Sequence, residues 1–253
     1  MRALLNLPPV LFAISLVVLW LAAVTGASLR KRPLEEDELD DLDMVLTATL
    51  TLLSLIIGFT FSMAISRYDQ RKNYEEAEAN AIGTEYVRAD LLPADTATKV
   101  RALLRDYLNH RVLFYEVRDK QQVQQVNAYT DQLQSEMWSA VTAPAKAQPT
   151  PLVALAVAGM NDVLNSQGYT QAAWWNRIPS AAWALMMTIA ICCNLLIGYS
   201  GRRTKGHPLL FLVLPLVVSI SFFLIADIDS PRDGVIRVQA QNLGSLAHSL
   251  QAH

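Results

Sequence analysis

The fold is decided by residues 44–72, which read MVLTATLTLLSLIIGFTFSMAISRYDQRK. No charged residue interrupts the segment Met44–Ser66, and a helix needs about 20 apolar residues to cross the hydrocarbon of a bilayer. Neither glycine nor proline follows between Ser66 and Lys72, so nothing in the sequence ends the helix at the membrane boundary. The stretch therefore predicts one unbroken helix that crosses the membrane and continues well into the domain that follows.

Three other segments have the length and apolarity of membrane spans. They are Pro9–Ala27, Ala181–Tyr199 and Pro208–Ala226. The first is predicted to be an anchoring helix rather than a cleaved signal peptide, because its apolar run is long and the basic cluster Arg30-Lys31-Arg32 follows it. The sequence therefore predicts four transmembrane helices.

The composition predicts a lipid partner and gives no reason to expect nucleic acid. Of the 253 residues, 52% are hydrophobic, and the mean hydropathy of +0.23 is too high for an ordinary soluble domain. The 21 basic residues nearly balance the 23 acidic ones, for a net charge of -2. A basic surplus that would attract a phosphate backbone is therefore missing.

Residues 67–180 are predicted to form a helical domain outside the membrane. Apolar residues recur there at helical spacing, first between Val100 and Tyr115 and then between Val123 and Val141. The fold class is therefore all-α, with four transmembrane helices and an inserted helical extramembrane domain. The predicted bounds are 1–66 for the first two spans with their acidic connection, 67–180 for the domain, 181–226 for the last two spans and 227–253 for a C-terminal tail.

Prolines and acids suggest where these elements begin and end. Closely spaced prolines make Ala143–Pro151 a predicted turn or linker, and a further helix is expected from Leu152 to about Ser166. Seven of the nine residues Glu35–Asp43 are acidic, immediately before the predicted start of the second span. They suit either a solvated cap on the positive end of the helix dipole or a vestibule that collects cations.

Basic residues in the loops do not decide the orientation in the membrane. One face would carry Arg30, Lys31, Arg32, Arg202, Arg203 and Lys205 in short loops. The other face has a similar number of basic residues near the ends of the spans, so the excess of positive charge that marks a cytoplasmic face is not evident.

One side of the second span carries small and hydroxyl residues at helical spacing. They are Thr47, Thr51, Ser54, Gly58 and Ser62. Such a stripe is typical of close helix packing in lipid, and it also suits the wall of a pore. Beside it, Leu55 and Phe59 stand one turn apart and are bulky enough to form an apolar constriction that gates by dewetting.

Nothing in the sequence indicates a catalytic apparatus. The adjacent Cys192 and Cys193 lie in an apolar run, where they read as packing residues, and the four histidines lack metal-ligand spacing. Phosphate loops, nucleophile elbows and zinc-binding His-Glu pairs do not occur. We therefore predict that the protein is not an enzyme and has no cofactor and no metal centre.

Acids and a turn follow the last span. Asp227 and Asp229 precede the turn sequence Ser230-Pro231-Arg232-Asp233-Gly234. Acids at a membrane boundary are ordinary interfacial residues in most proteins, but beside a turn they also suit a salt bridge or a cation.

Several motifs resemble those of a known family. Residues 58–71, GFTFSMAISRYDQR, are similar to the second span of bestrophin channels, where a Gly-Phe pair precedes an Arg-aromatic pair and further charge, here Arg67, Tyr68 and Arg71. The motifs ANAIGT at 79–84, RADLLP at 88–93 and DIDSPRDGVIRV at 227–238 resemble a bacterial bestrophin-like family of unassigned function. The last motif contains Asp227, Asp229, Asp233 and Arg237.

The resemblance to bestrophins implies a pentamer in the inner (cytoplasmic) membrane that conducts small inorganic ions along its axis, with the helical domain in the cytosol. Phe59 and Leu55 would then line a narrow neck, and Thr51 stands one turn earlier, where those channels place a bulky apolar residue. Acids after the last span help animal members to hold calcium, and Asp227, Asp229 and Asp233 occupy a comparable place.

Two functions remain to be distinguished. The first is an oligomeric ion channel or channel-like protein with Thr51, Leu55 and Phe59 on the conduction axis. The alternative is a non-conducting membrane sensor or interaction protein, whose amphipathic helices recruit a partner. An extracytoplasmic domain would favour the sensor and a cytosolic domain the channel.

Overall fold

The computed structural model describes residues 7–30, 35–200 and 210–251, and within these ranges the chain is helical and contains no strand. The helices are α1 Pro8–Leu29, α2 Glu36–Arg88, α3 Ala94–Glu116, α4 Lys120–Ala147, α5 Pro151–Trp175, α6 Ser180–Ser200, α7 Leu210–Asp229 and α8 Gln241–Gln251. A 3-10 turn, Ala89–Leu91, lies between α2 and α3. The predicted all-α fold is confirmed.

Four stretches of helix are long and apolar enough to cross a membrane, and they fall in α1, α2, α6 and α7. Each contains one of the predicted spans, although Pro208 at the start of the fourth lies outside the described residues, as do Lys31, Arg32, Arg202, Arg203 and Lys205 of the basic loops. Helix α7 continues past Ala226 to Asp229. Asp227 and Asp229, the first two acids of the motif at 227–238, therefore belong to its final turn.

Helix α2 is continuous over 53 residues from Glu36 to Arg88, as the lack of a helix breaker after Ser66 predicts. Its start differs from the prediction, because the acidic residues do not precede the helix but form its first turns. The backbone N–H of Glu35 donates to Glu38 Oε2 at 3.1 Å, and carboxylates in a first turn interact favourably with the helix dipole. The same acids that would cap the helix therefore extend it.

The chain divides into two compact units, of which unit 1 comprises Met1–Tyr68 and Arg177–Arg237. Its core is apolar and draws side chains from α1, the first part of α2, α6 and α7, among them the buried Leu19, Leu53, Met186 and Phe222. Helix α1 packs along both α6 and α7.

Two glycines allow α1 and α6 to touch through their backbones. A Cβ on Gly26 would lie 2.1 Å from the carbonyl oxygen of Leu195, and one on Gly198 would lie 1.9 Å from the carbonyl oxygen of Ala23. Both distances are far below van der Waals contact, so only glycine fits at these positions. Small residues at a crossing are the usual means by which helices approach closely in lipid.

Unit 2 comprises Asp69–Asn176 and Val238–His253. Helix α3 packs against α4, and α4 packs against α5. The predicted apolar faces of α3 and α4 are buried, since Leu104, Tyr107 and Met137 are each 0% exposed. Helix α8 from the C-terminal tail belongs to the same unit.

The turn or linker predicted at Ala143–Pro151 is shorter than expected, because α4 continues through Pro144 to Ala147 and only residues 148–150 separate it from α5, which begins at Pro151. Proline in the last turn of a helix removes a single intrahelical bond, and the Pro144 carbonyl still accepts from the Gln148 N–H at 2.8 Å. Proline also suits the first position of a helix, which Thr150 caps here by accepting from the Val153 N–H.

Helix α5 also extends beyond its predicted end at Ser166 and reaches Trp175. Gly168 lies within it, and a glycine inside a helix costs only about 1 kcal/mol relative to alanine. Burial of Thr170, Ala173 and Trp174 on the continuing face accounts for the extra turns.

Candidate functional site

The three candidate pore-lining residues lie on a face of α2 that is open in the single chain. Leu55 is 52% exposed and Phe59 is 65% exposed, although both are large apolar side chains. Thr51 is exposed as well, and its hydroxyl donates to the carbonyl oxygen of Thr47 at 2.8 Å. We refer to Thr51, Leu55 and Phe59 as the open face of α2.

The stripe of small residues is also exposed within the chain. All five members are exposed, and a Cβ added at Gly58 would meet no described atom within 4 Å. Packing of α2 inside unit 1 instead uses the opposite residues Leu53, Thr60 and Ala64, which are at most 5% exposed. The stripe therefore does not serve helix packing among the described residues of this chain.

Beside the open face, α2 and α7 border a groove of about 690 Å³ within unit 1. Its hydroxyl groups are satisfied inside their own helices, since Ser54 donates to the Thr51 carbonyl at 2.8 Å and Ser221 to the Val217 carbonyl at 3.0 Å. The groove therefore presents an apolar wall that requires no polar partner.

At the membrane boundary, Asp229 gathers several of the predicted motif residues. Its side chain is 3% exposed, and its carboxylate accepts the backbone N–H of Ile178 at 3.2 Å. The Arg177 Nε lies 3.4 Å away and the Arg67 Nη1 3.9 Å away. Asp229 thus ties the end of α7 to the segment that precedes α6 and to α2, with two arginines balancing its charge.

Asp227 shapes the turn that follows α7. Its two carboxylate oxygens accept the backbone N–H groups of Val235 at 2.7 Å and Ile236 at 2.8 Å. A Cβ on Gly234 would lie 2.3 Å from the Asp227 carbonyl oxygen, so this close return of the chain requires glycine. Asp227 therefore holds the chain in a fixed turn after α7.

The other motif residues have different surroundings. Tyr68 is half-buried and packs against the apolar core of unit 1, and Asp233 is exposed. Arg237 is half-buried, whereas Arg71 is 1% exposed and belongs to unit 2. The structure therefore brings together Arg67 and Asp229 but leaves Asp233 outside that cluster.

This arrangement does not fit the calcium ligation that the resemblance suggested. The oxygens of Asp227 and Asp229 are directed at backbone N–H groups and arginine side chains, whereas Ca²⁺ requires six to eight oxygen ligands. Across the described ranges, no three His, Cys, Asp or Glu side chains come close enough to hold a metal ion.

A buried ionic cluster in unit 2 was not predicted. Glu78 and Arg111 are both 0% exposed, and they form an ion pair in which Arg111 Nη2 lies 3.3 Å from Glu78 Oε2. The Thr170 hydroxyl donates to the same oxygen at 3.0 Å, and the Arg111 guanidinium stands 4.5 Å from the centre of the Phe114 ring. The sequence does contain a signal, because Arg111 occupies an apolar position of the α3 pattern.

The charge of this cluster acts on two buried tyrosines. Burial raises the pKa of Tyr107 and of Tyr115 well above the ordinary value, and the nearby Glu78 carboxylate raises both pKa values further. Both phenols are therefore neutral over the whole physiological range, and the Tyr107 hydroxyl accepts from the Gln134 side-chain amide at 3.4 Å.

A second buried carboxylate, Glu75, holds the tail helix. It is 1% exposed, and its oxygens accept the Leu243 N–H at 2.9 Å and the Asn242 side-chain amide at 2.7 Å. Gly83 of the ANAIGT motif faces the Leu246 side chain, 3.2 Å from where a Cβ would stand. Helix α8 therefore packs against Gly83 of this motif and is hydrogen-bonded to Glu75 nearby on α2.

Comparison with known proteins agrees with these features. A family model described as Bestrophin-like domain matches residues 10–243. One solved structure that is similar is a substituted form of a bacterial bestrophin homologue from Klebsiella pneumoniae, with 13% identity and a TM-score of 0.63 over 95% of this chain and 96% of that one. A second substituted form has 11% identity and a TM-score of 0.64 over 95% of this chain and 94% of the other. No curated protein matches the chain significantly in sequence.

Proposed function

The chain belongs to the bestrophin-like family, and from this premise we propose that it assembles into a homo-oligomer, a pentamer, that conducts small inorganic ions along its axis. The open face of α2 would line the conduction path. Helices α1, α6 and α7 would surround it and face lipid. The membrane is the inner (cytoplasmic) one, with unit 2 in the cytosol.

The observation that carries this proposal is the low burial of α2 within its own chain. Only 11% of its most apolar stretch is buried, against 33% to 44% for the other three predicted spans. Contact with lipid alone would explain the exposed Leu55 and Phe59, but not a row of threonine, serine and glycine beside them. Small polar residues in a span are typical of surfaces that meet other helices or water.

Leu55 and Phe59 would form two successive rings of an apolar neck, followed one turn away by a ring of Thr51 hydroxyls. A ring of apolar side chains in a narrow pore excludes water and so controls ion passage. The Thr51 hydroxyl already donates within α2, so it presents oxygen lone pairs to the axis. The neck would therefore be apolar on one side and weakly polar on the other.

The test is ion flux into liposomes that contain the purified protein. Phe59→Ala removes the larger ring and is expected to increase flux several-fold, because a wider neck is easier to wet. Val213→Ala is the matched control, since Val213 is 54% exposed on α7 and would face lipid in the proposed assembly. This control should leave flux unchanged.

Absence of flux in every variant would contradict conduction and favour the non-conducting sensor or interaction protein. Equal flux for the parent protein and Phe59→Ala would place the neck elsewhere. Truncation of the smaller ring, Leu55→Ala, separates these outcomes, because it should increase flux whenever the open face lines the path.

A further inference from the structure

One buried carboxyl group takes no part in the conduction proposal. Glu85 lies in the part of α2 that belongs to unit 2 and is 0% exposed. Neither of its carboxyl oxygens has a hydrogen-bond partner among the described residues. This differs from Glu75 and Glu78 on the same helix, whose oxygens accept two or three donors. An ionised carboxylate without donors is costly to bury, so the site favours the neutral acid.

The carboxyl group lies against the backbone of α5. A Cβ on Gly159 would stand 2.0 Å from Glu85 Oε2 and 2.6 Å from Arg88 Nη1, so both side chains occupy the space that glycine leaves open. The charged groups that act on Glu85 are Arg88 from its own helix and Asp162 from α5. Arg88 Nη1 lies 4.0 Å from Asp162 Oδ2, so its positive charge is already shared with another acid.

We propose that Glu85 is a proton-sensing group of unit 2, which packs against Gly159 of α5 as a neutral acid and leaves this contact when it ionises. The role does not depend on conduction, because every group involved lies within unit 2. Its effect would be a pH-dependent loosening of α5 from the end of α2.

The direction of the pH dependence follows from the shift. Burial raises the pKa of Glu85 from 4.5 to about 8, while Arg88 lowers it and Asp162 raises it. In the unfolded chain the group releases its proton near pH 4.5, but in the folded chain it keeps it until about pH 8. The folded state therefore binds more protons in this window, and stability falls as the pH rises through it.

The first measurement is the pH dependence of thermal unfolding in detergent for the parent protein and for Glu85→Gln. Glutamine has the same shape and stays neutral, so Glu85→Gln should lose most of the fall in Tm between about pH 6 and about pH 9. Glu76→Gln is the matched control, because Glu76 is an exposed acid on the same helix. The control should show the parent's pH dependence.

The second measurement observes the proton directly. A pH-difference infrared spectrum, taken between about pH 6 and about pH 10, should show loss of a carboxylic acid C=O band that is absent in Glu85→Gln. Gly159→Ala tests the geometry with Glu85 intact, because the added methyl would lie only 2.0 Å from its Oε2 and displace it. That variant should ionise Glu85 at lower pH and flatten the pH dependence of Tm.

Three results would each overturn the proposal. The first is the same pH dependence of Tm in the parent and Glu85→Gln, and the second is no carboxylic acid C=O band in the parent above about pH 6. The third is a band that Gly159→Ala loses at the same pH as the parent. If Glu85→Gln does not fold, the infrared comparison of the parent with Gly159→Ala still decides. Failure of the flux experiments would leave these results unaffected.

Discussion

Asp229 is the residue on which the membrane-boundary motif depends. Its carboxylate accepts the Ile178 N–H and stands beside Arg177 and Arg67 with 3% of its side chain exposed. Removing one member of a buried charge cluster leaves the others without compensation, which typically costs more than the cluster contributes when intact. The structure of this end of unit 1 therefore depends on a single acid.

We expect Asp229→Ala to destabilise the protein by about 3 kcal/mol, because it strands a buried N–H and two guanidinium groups. Thermal unfolding in detergent measures the loss. Asp233→Ala provides the control, since Asp233 is an exposed acid of the same motif and its removal should change stability by less than about 0.5 kcal/mol. Equal effects of the two substitutions would show that the cluster has no energetic role.

The Glu78–Arg111 pair predicts strong coupling between two residues that are far apart in sequence. Glu78→Gln and Arg111→Met should each destabilise unit 2 by about 3 to 5 kcal/mol, because each leaves a buried partner charge uncompensated. The double variant should cost clearly less than the sum of the two, since it removes both charges. Additive effects in a double-mutant cycle of unfolding would contradict a direct buried pair.

Residue-scale prediction from sequence found the motif but not the geometry. Asp227, Asp229 and Arg67 could be selected because they flank apolar runs, where charge is unusual. The role of Asp227 depends instead on the return of Val235 and Ile236 to its side chain, which no spacing rule reveals. Arg111 was missed because a basic residue in a helical pattern is normally assigned to the solvated face.

At the scale of helices, the crossing of α1 and α6 is determined by Gly26 and Gly198. We expect Gly198→Ala to destabilise unit 1 by about 1 to 3 kcal/mol, because a methyl there overlaps the Ala23 carbonyl and cannot be accommodated by side-chain movement. Gly168→Ala is the matched control, as nothing lies within 4 Å of its added Cβ inside α5. The control should raise stability slightly, by about 0.5 to 1 kcal/mol, because alanine favours helix.

The position of helix α8 depends on its hydrogen bonds to Glu75. Glu75→Ala removes the acceptors for the Leu243 N–H and the Asn242 side chain at the start of the helix. We expect faster hydrogen exchange of the amides in 241–251, with little change in α3 and α4. Glu76→Ala, which removes an exposed neighbouring acid, should leave the exchange of α8 unchanged. Uniform acceleration throughout unit 2 would instead indicate a general loss of stability.

The elements that the sequence predicted well are those with strong periodicity or long apolar runs. All four spans and the buried faces of α3 and α4 follow from hydrophobic patterning. The errors concern Pro144, which removes only a single intrahelical bond because it lies in the last turn of α4, and Gly168, whose cost inside α5 is offset by burial of the turn that follows it. Helix α8 is only 11 residues long, and its contacts with Gly83 and Glu75 are long-range contacts that the sequence does not reveal.

For the whole molecule, the open face of α2 is the feature that a single chain leaves unexplained. Large apolar residues and a small-residue stripe share the same helix, and both are exposed in the described part of the chain. Self-association would cover the stripe apart from Thr51, which would turn toward the axis together with Leu55 and Phe59. Gly58 lies within the stripe, so it reports on contacts between copies rather than within one.

We therefore predict that Gly58→Ala weakens the oligomer without harming the fold. Within one chain the added methyl meets no described atom within 4 Å, and alanine should stabilise α2 by about 0.5 to 1 kcal/mol. Between copies, the methyl would separate helices that approach closely through small residues, so the fraction of intact oligomer at low protein concentration should fall. Native mass spectrometry in detergent measures this fraction, with Gly168→Ala as the control that leaves assembly unchanged.

End-on electron microscopy should show five-fold particles for the parent protein. An unchanged oligomer for Gly58→Ala, or a parent particle that is a monomer, would place the stripe against lipid and leave the proposed pore without walls.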